Sequence, residues 1–195
     1  MKRVGLFLLL ILTLPRLAPA QENYALDPRF ARIGFSVSHM GLFTSEGQFK
    51  RFDSQLSIDP ANPDRTRITV RIDAASASMA ATEGEDMLRS PAYFDIARYP
   101  DIRFHSTTIN ARSPSDYAIQ GELQIRGVTR PLTLAAKLVN RQRNPDSGTE
   151  TIDFVVTGTV HRSEFGMVAD QSFVANDISL SILARLQLPV TGNGR

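Results

Sequence analysis

Arg32-Ile33-Gly34-Phe35-Ser36-Val37-Ser38 changes from polar to apolar at almost every step, and the reading of that period decides the fold class. Successive side chains of a strand point to opposite faces, so a period of two marks an extended segment with one dry face and one wet face. The pattern recurs outward from this stretch. Ile68, Val70 and Ile72 alternate with Arg67, Thr69, Arg71 and Asp73. Ile102 and Phe104 follow, then Tyr117, Ile119, Leu123 and Ile125, then Leu132, Leu134 and Leu138. Further on come Ile152, Phe154, Val156 and Val160, and a last run of Ile178, Leu180, Ile182, Leu186 and Leu188. Phe43 to Ile58 form a longer extended stretch in which Gly47 is the expected bend.

About eight strands result, separated by turn-rich breaks at residues 59–64, 113–116 and 144–148. Two connections are longer, Ala74 to Pro100 and Arg162 to Asn176. The first contains a segment around Glu83 to Arg89 that suits about two helical turns, with Thr82 as its cap and Glu85 at the capping-box spacing. Alternation alone suits a closed antiparallel barrel or a two-sheet sandwich. The favoured expectation is all-β: an eight-stranded antiparallel barrel with a short helix in one long connection, since such a barrel leaves room for one small ligand. The cavity candidates are then Ile33, Phe35, Val37, His39, Phe49, Phe104, Ile119, Leu123, Phe154 and Val156, with Phe94 and Phe165 from the long connections.

The first 20 of the 195 residues read as a secretory signal. Lys2 and Arg3 precede an apolar run from Val4 to Leu14, and Ala18-Pro19-Ala20 is a small-x-small cleavage site. The expected mature chain is a single domain over residues 21–195, periplasmic or secreted after cleavage following Ala20. No apolar run approaches the roughly 20 residues a spanning helix needs, so an integral membrane protein is not expected. Removing Lys2, Arg3 and Arg16 from the 22 basic residues leaves 19 against 20 acidic ones. That near-neutral balance, with basic residues scattered, argues against nucleic acid as a partner. The absence of cysteine excludes disulfides, thiolate metal sites and a thiol nucleophile.

No GxSxG, HExxH, GxxxxGK[ST] or GxGxxG signature occurs, which does not exclude an enzyme; the expectation is of no catalytic residue, metal ligand or required cofactor. Strand parity turns His39 inward with Phe35 and Val37, and turns His105 and His161 outward. Three such histidines do not converge on one metal. His39 suits either a polar group at a pocket mouth or a loop histidine bonded to backbone. Asp27, Asp59 and Asp73 sit beside turns, where carboxylates cap local backbone. Arg162 is placed to brace the second long connection or to bind an anionic head group.

Several pieces of the chain together resemble the YceI family of exported lipocalin-like proteins. They begin with Tyr24-x-Leu26-Asp27-Pro28, Phe35-x-Val37-x-His39-Met40-Gly41 and Gly47-x-Phe49. Asp86-x-Leu88-x-Ser90, Phe94-Asp95, Tyr99-Pro100 and Phe104 follow, then Gly121-x-Leu123-x-Ile125-Arg126-Gly127-Val128-Thr129-x-Pro131 and Arg162-x-x-Phe165-Gly166. The resemblance implies a barrel whose lumen is an apolar tunnel for a polyisoprenoid or quinone-like lipid. The chain departs from the family's pattern at Glu85 and Met87, where a basic residue and a histidine are common. The expected function is that of a lipid carrier or sequestering protein without catalysis, whose partners are the amphipathic lipid and a membrane protein as donor or acceptor. The alternatives are an enzyme acting on an isoprenoid or quinone in the same pocket, with His39 as base, or an interaction module supporting a membrane redox system.

Overall fold

The computed structural model describes residues 24–59, 62–80 and 82–188, and the side chain of Thr82 is outside this set. The signal segment 1–20, the cleavage point before Gln21 and the tail after Leu188 lie outside the described residues, as do Pro60 and Ala61 of the 59–64 turn. The strands are β1 (Ala25–Leu26), β2 (Arg32–His39), β3 (Phe43–Phe49), β4 (Phe52–Ser57), β5 (Arg67–Asp73) and β6 (Ala77–Met79). After helix α1 (Thr82–Arg89) come β7 (Asp101–Ala111), β8 (Asp116–Ile125), β9 (Val128–Arg143), β10 (Glu150–His161) and β11 (Val174–Leu188). All pair antiparallel in one strongly curled, barrel-like sheet, in the order β4-β5-β7-β8-β9-β10-β11-β2-β3-β6, with β1 paired to β11.

Ten strands therefore lie on the path, where eight were expected. The reason is two bends. The 43–57 stretch breaks at Lys50-Arg51, and residues 67–79 break at a 3-10 turn over Ala74–Ser76. Each stretch changes neighbour at its bend: β3 pairs with β2 and β6, and β4 pairs with β5. Lys50 N–H donates to Ser76 O at 3.1 Å and Asp73 N–H to Arg51 O at 3.1 Å, so the two ends of the path are bonded where the bends meet.

The bend is not at Gly47, which lies in regular pairing opposite Phe35. A Cβ there would stand 2.4 Å from Phe35 Cζ, so the glycine makes room for an inward ring. Gly121 does the same for Phe104, at 2.5 Å. Arg126 and Gly127, at φ 51° and 72°, form the two-residue turn between β8 and β9, the left-handed pair that suits a tight hairpin. The Arg126 guanidinium donates to the carbonyls of Pro91 and Tyr93, tying this hairpin to the connection after α1.

Helix α1 matches the expected two turns, but Glu85 is used differently. Its carboxylate accepts Met79 N–H at 3.3 Å and pairs with Arg89 at 3.1 Å, anchoring the helix to β6. Topology gathers the 40–42 loop, the 80–100 connection, the 126–127 turn and the 162–173 loop at one end of the barrel, called the helix end. The 58–66, 112–115 and 144–149 connections and the segment before β2 lie at the other, the turn end.

Candidate functional site

The inward rows of the strands surround an elongated cavity of about 430 Å3. Along β10 its lining runs from Ile152 to Val160, a rise of roughly 26 Å at strand spacing. Ile33, Phe35, Val37 and His39 line it from β2, and Phe49 from β3. Phe104 contributes from β7, Ile119 and Leu123 from β8, Phe154 and Val156 from β10, and Phe94 from the connection after α1. Ser36 and Ser38 are absent from the lining, as a period of two requires. Phe165 is the exception among the expected residues. It is 2% exposed and packed in the main apolar cluster without lining the cavity, because its 3-10 turn lies past the end of β10.

Polar groups meet the cavity near its two ends. At the helix end, His39 stacks on Phe43 with ring centroids 5.1 Å apart, and its buried Nε2 has no hydrogen-bond partner. Arg162, 2% exposed, donates to the carbonyls of Met167 at 2.8 Å, Val174 at 2.9 Å and Ala175 at 3.0 Å. It braces the loop, with three of its donors turned to backbone. The Tyr93 hydroxyl donates to Asp170 Oδ2 at 2.7 Å, and burial, followed by that carboxylate, pushes its pKa up to about 12. Tyr93 thus stays a neutral donor throughout the physiological range.

At the turn end, the Tyr24 hydroxyl donates to Glu150 Oε2 at 3.1 Å and Arg141 donates to Glu150 Oε1 at 2.5 Å. The Arg141 guanidinium holds the Glu150 carboxyl below its ordinary range. Behind this, Tyr24, Ile152 and Leu186 form a small buried cluster. Asp27, 5% exposed, accepts from Arg29 and from Gln187 Nε2 at 2.8 Å.

The three turn carboxylates cap local backbone. Asp27 accepts Arg29 N–H at 3.1 Å, Asp59 accepts Asn62 N–H at 3.0 Å, and Asp73 accepts Ala75 N–H at 2.9 Å. His105 faces Glu122 and His161 faces Asp177 on the outer surface, away from His39. No group of metal-ligating side chains clusters among the described residues. The arrangement suits retention of an apolar molecule with one polar terminus near His39. Met87 and Leu88 of α1 also line the cavity, and these were not among the expected residues. Their apolar character is visible in sequence, but only the packing of α1 across the helix end turns them to the lumen. Met87 places an apolar, partly exposed side chain at the cavity edge.

Known proteins share this architecture. BcnA of Burkholderia cenocepacia superposes with a TM-score of 0.72 at 24% identity, over 84% of this chain and 99% of that one. A polyisoprenoid binding domain from Saccharophagus degradans, implicated in plant cell wall breakdown, superposes with a TM-score of 0.62 at 12% identity, over 86% of this chain and 99% of that one. Both likenesses are of fold. In sequence, protein YceI of Escherichia coli O6:H1 is 30% identical over 162 residues, 82% of this chain and 84% of that protein. With the YceI-like domain matched over residues 24–186, from the tyrosine that covers the turn end to the leucine packed against it, the chain belongs to the YceI-like family.

Proposed function

We propose that this protein is exported and holds one amphipathic polyisoprenoid or quinone-like lipid in the barrel lumen, carrying or sequestering it without a catalytic step. The observation that carries the reading is the elongated cavity of about 430 Å3 with nearly all-apolar walls, a size suited to a small-molecule ligand. Membership of the YceI-like family and the shared fold of a polyisoprenoid binding domain support the choice of ligand class. Burying about 400 Å2 of an apolar chain is worth on the order of 10 kcal/mol before the costs of association. The orphaned Nε2 of His39 is suited to the hydroxyl or carbonyl of the ligand's polar terminus, because a buried polar atom without a partner is costly. Export rests on the amino-terminal segment and places donor and acceptor of the lipid, membrane proteins among them, outside the cytoplasm.

Solvent extraction of purified protein followed by mass spectrometry tests the reading. A stoichiometric isoprenoid lipid is expected, reduced in Val37→Phe and unchanged in Ser36→Phe. Full lipid in both variants defeats it. The same buried His39 Nε2 favours one rival, an enzyme using His39 as base. Incubation with an isoprenoid quinone separates the two: a carrier returns it unchanged, and an enzyme forms a product that disappears in His39→Gln.

A further inference from the structure

Nine large apolar side chains are exposed among the described residues, and six of them lie at the helix end: Met40, Leu42, Phe43, Met87, Val168 and Phe173. Leu42 is 78% exposed, Met40 62%, Phe43 61% and Phe173 60%. Scattered exposure of single residues is ordinary, but concentration at one pole is not. The two loops that carry most of them are joined. Met40 N–H donates to Phe173 O at 3.0 Å, and β2 pairs Val174 with His39, so the two tips are bonded side by side. The patch continues into the cavity, since His39, Met87 and Val174 line the lumen beside it.

We propose that this end of the barrel docks on a lipid bilayer, with Met40, Leu42, Phe43 and Phe173 entering the interface of neutral or zwitterionic lipid. The charge pattern selects this occupant. Residues 38–45 contain no Lys, Arg, Asp or Glu, and residues 165–176 contain only Asp170, whose carboxylate accepts the Tyr93 hydroxyl. Neither loop offers a cation for anionic head groups, and their one carboxylate, the exposed Asp170, is held by the Tyr93 hydroxyl. A second copy of the chain is the poorer occupant. Four side chains on two narrow tips offer on the order of several hundred Å2, short of the roughly 800 Å2 per partner of a stable interface. The docked end brings the cavity edge at Met87 and His39 to the membrane, where an isoprenoid chain resides. That purpose rests on the lipid-binding reading above, whereas the docking itself does not.

Flotation of the purified protein with phosphatidylcholine vesicles tests the proposal. Binding is expected that survives an increase from low to high salt and gains nothing from added phosphatidylglycerol. Leu42→Asp and Phe173→Asp are each expected to lower the bound fraction by about tenfold. Val139→Asp, an exposed apolar position on the outer wall, is expected to leave it unchanged. No flotation, flotation that requires phosphatidylglycerol, or equal flotation by all variants overturns the proposal. So does a stable dimer that Leu42→Asp dissociates, read by light scattering. Lipid extraction on the same preparations separates the two readings: unsubstituted protein that fails to float yet carries full copurifying lipid defeats docking alone, and flotation without lipid in any preparation defeats the cavity reading alone.

Discussion

At the turn end, guanidinium–carboxylate pairs near the surface hold the segment before β2, through Arg29 with Asp27, and the strand ends, through Arg141 with Glu150 and Arg185 with Asp153. At the helix end, the 162–173 loop is tied by one buried cation, Arg162, which spends three donors on backbone carbonyls, and by the hydrogen bond from the Tyr93 hydroxyl to Asp170. Charges at the water boundary are cheap to arrange and individually weak. A buried guanidinium is expensive to place, but it satisfies the loop carbonyl of Met167 and those of Val174 and Ala175 at the start of β11, where the pairing with β2 shifts register. The contrast follows from what each end must do. Turns of a few residues need little bracing, whereas a long loop beside an open apolar cavity needs a rigid anchor that leaves its outer side chains free.

Substitutions separate the two kinds of bracing. Arg162→Met is expected to destabilise the protein by about 3 kcal/mol, because the Met167, Val174 and Ala175 carbonyls lose their donor together. Arg141→Met is expected to cost under about 1 kcal/mol. Urea denaturation measures both, and similar costs would remove the distinction between the ends. Between the ends lies the wall, where Val37→Arg should cost about 2 kcal/mol or more, and Ser36→Arg within about 0.5 kcal/mol. Equal effects would mean that β2 does not present alternate faces to lumen and water.

The pH limits of stability sharpen the comparison further. Tyr93 at the helix end has a pKa raised from 10.0 to about 12 by burial, and then by Asp170. Its contribution is therefore whole below pH 10 and is lost as pH rises through about 12. Tyr93→Phe is expected to cost about 1 kcal/mol at neutral pH and to flatten the alkaline limb of a melting-temperature profile. The acid limb draws mainly on the turn end. Asp27, Asp116, Glu150 and Asp153 there are lowered, by Arg29, by Ser113, by Arg141 and by Arg185 respectively, against Glu85 and Asp101 at the other end. Stability from these groups is present above the ordinary values of 3.8 and 4.5 and is lost as pH falls through the lowered ones. Arg185→Met should shallow the acid limb and leave the alkaline limb alone. An effect on both limbs would show that the two ends do not titrate separately.

Much of the wall is legible in the amino-acid sequence. Ile33, Phe35, Val37, Ile119, Leu123, Phe154 and Val156 face the lumen because a strand's side-chain period is two, whatever the strand pairs with. The same period turned His105 and His161 outward and His39 inward. Phe94, expected from the first long connection, lines the lumen as well. Gly47 was misread for a physical reason: an interior glycine signals either a bend or a close approach, and only the position of the Phe35 ring distinguishes them. Phe165 misled because it lies past the end of β10, in a 3-10 turn where alternation no longer specifies a face. Met87 was missed because eight residues of helix can cross the barrel end with either side inward, and the contact with β6 chooses.

Amino-acid order by itself determined an all-β chain, the apolar side of its strands and the near-neutral, cysteine-free surface that excludes whole classes of chemistry. These are properties of local period and composition, which need no partner to be expressed. Tertiary structure alone decided that two extended stretches bend and change neighbours, so that the sheet returns on itself. It also decided that Arg162 serves three carbonyls, that His39 Nε2 has no partner, and that Met40, Leu42, Phe43 and Phe173 stand together at one pole. Such facts depend on which distant segments meet, and the free energy of that meeting comes from curling the whole sheet around its core rather than from any segment read alone.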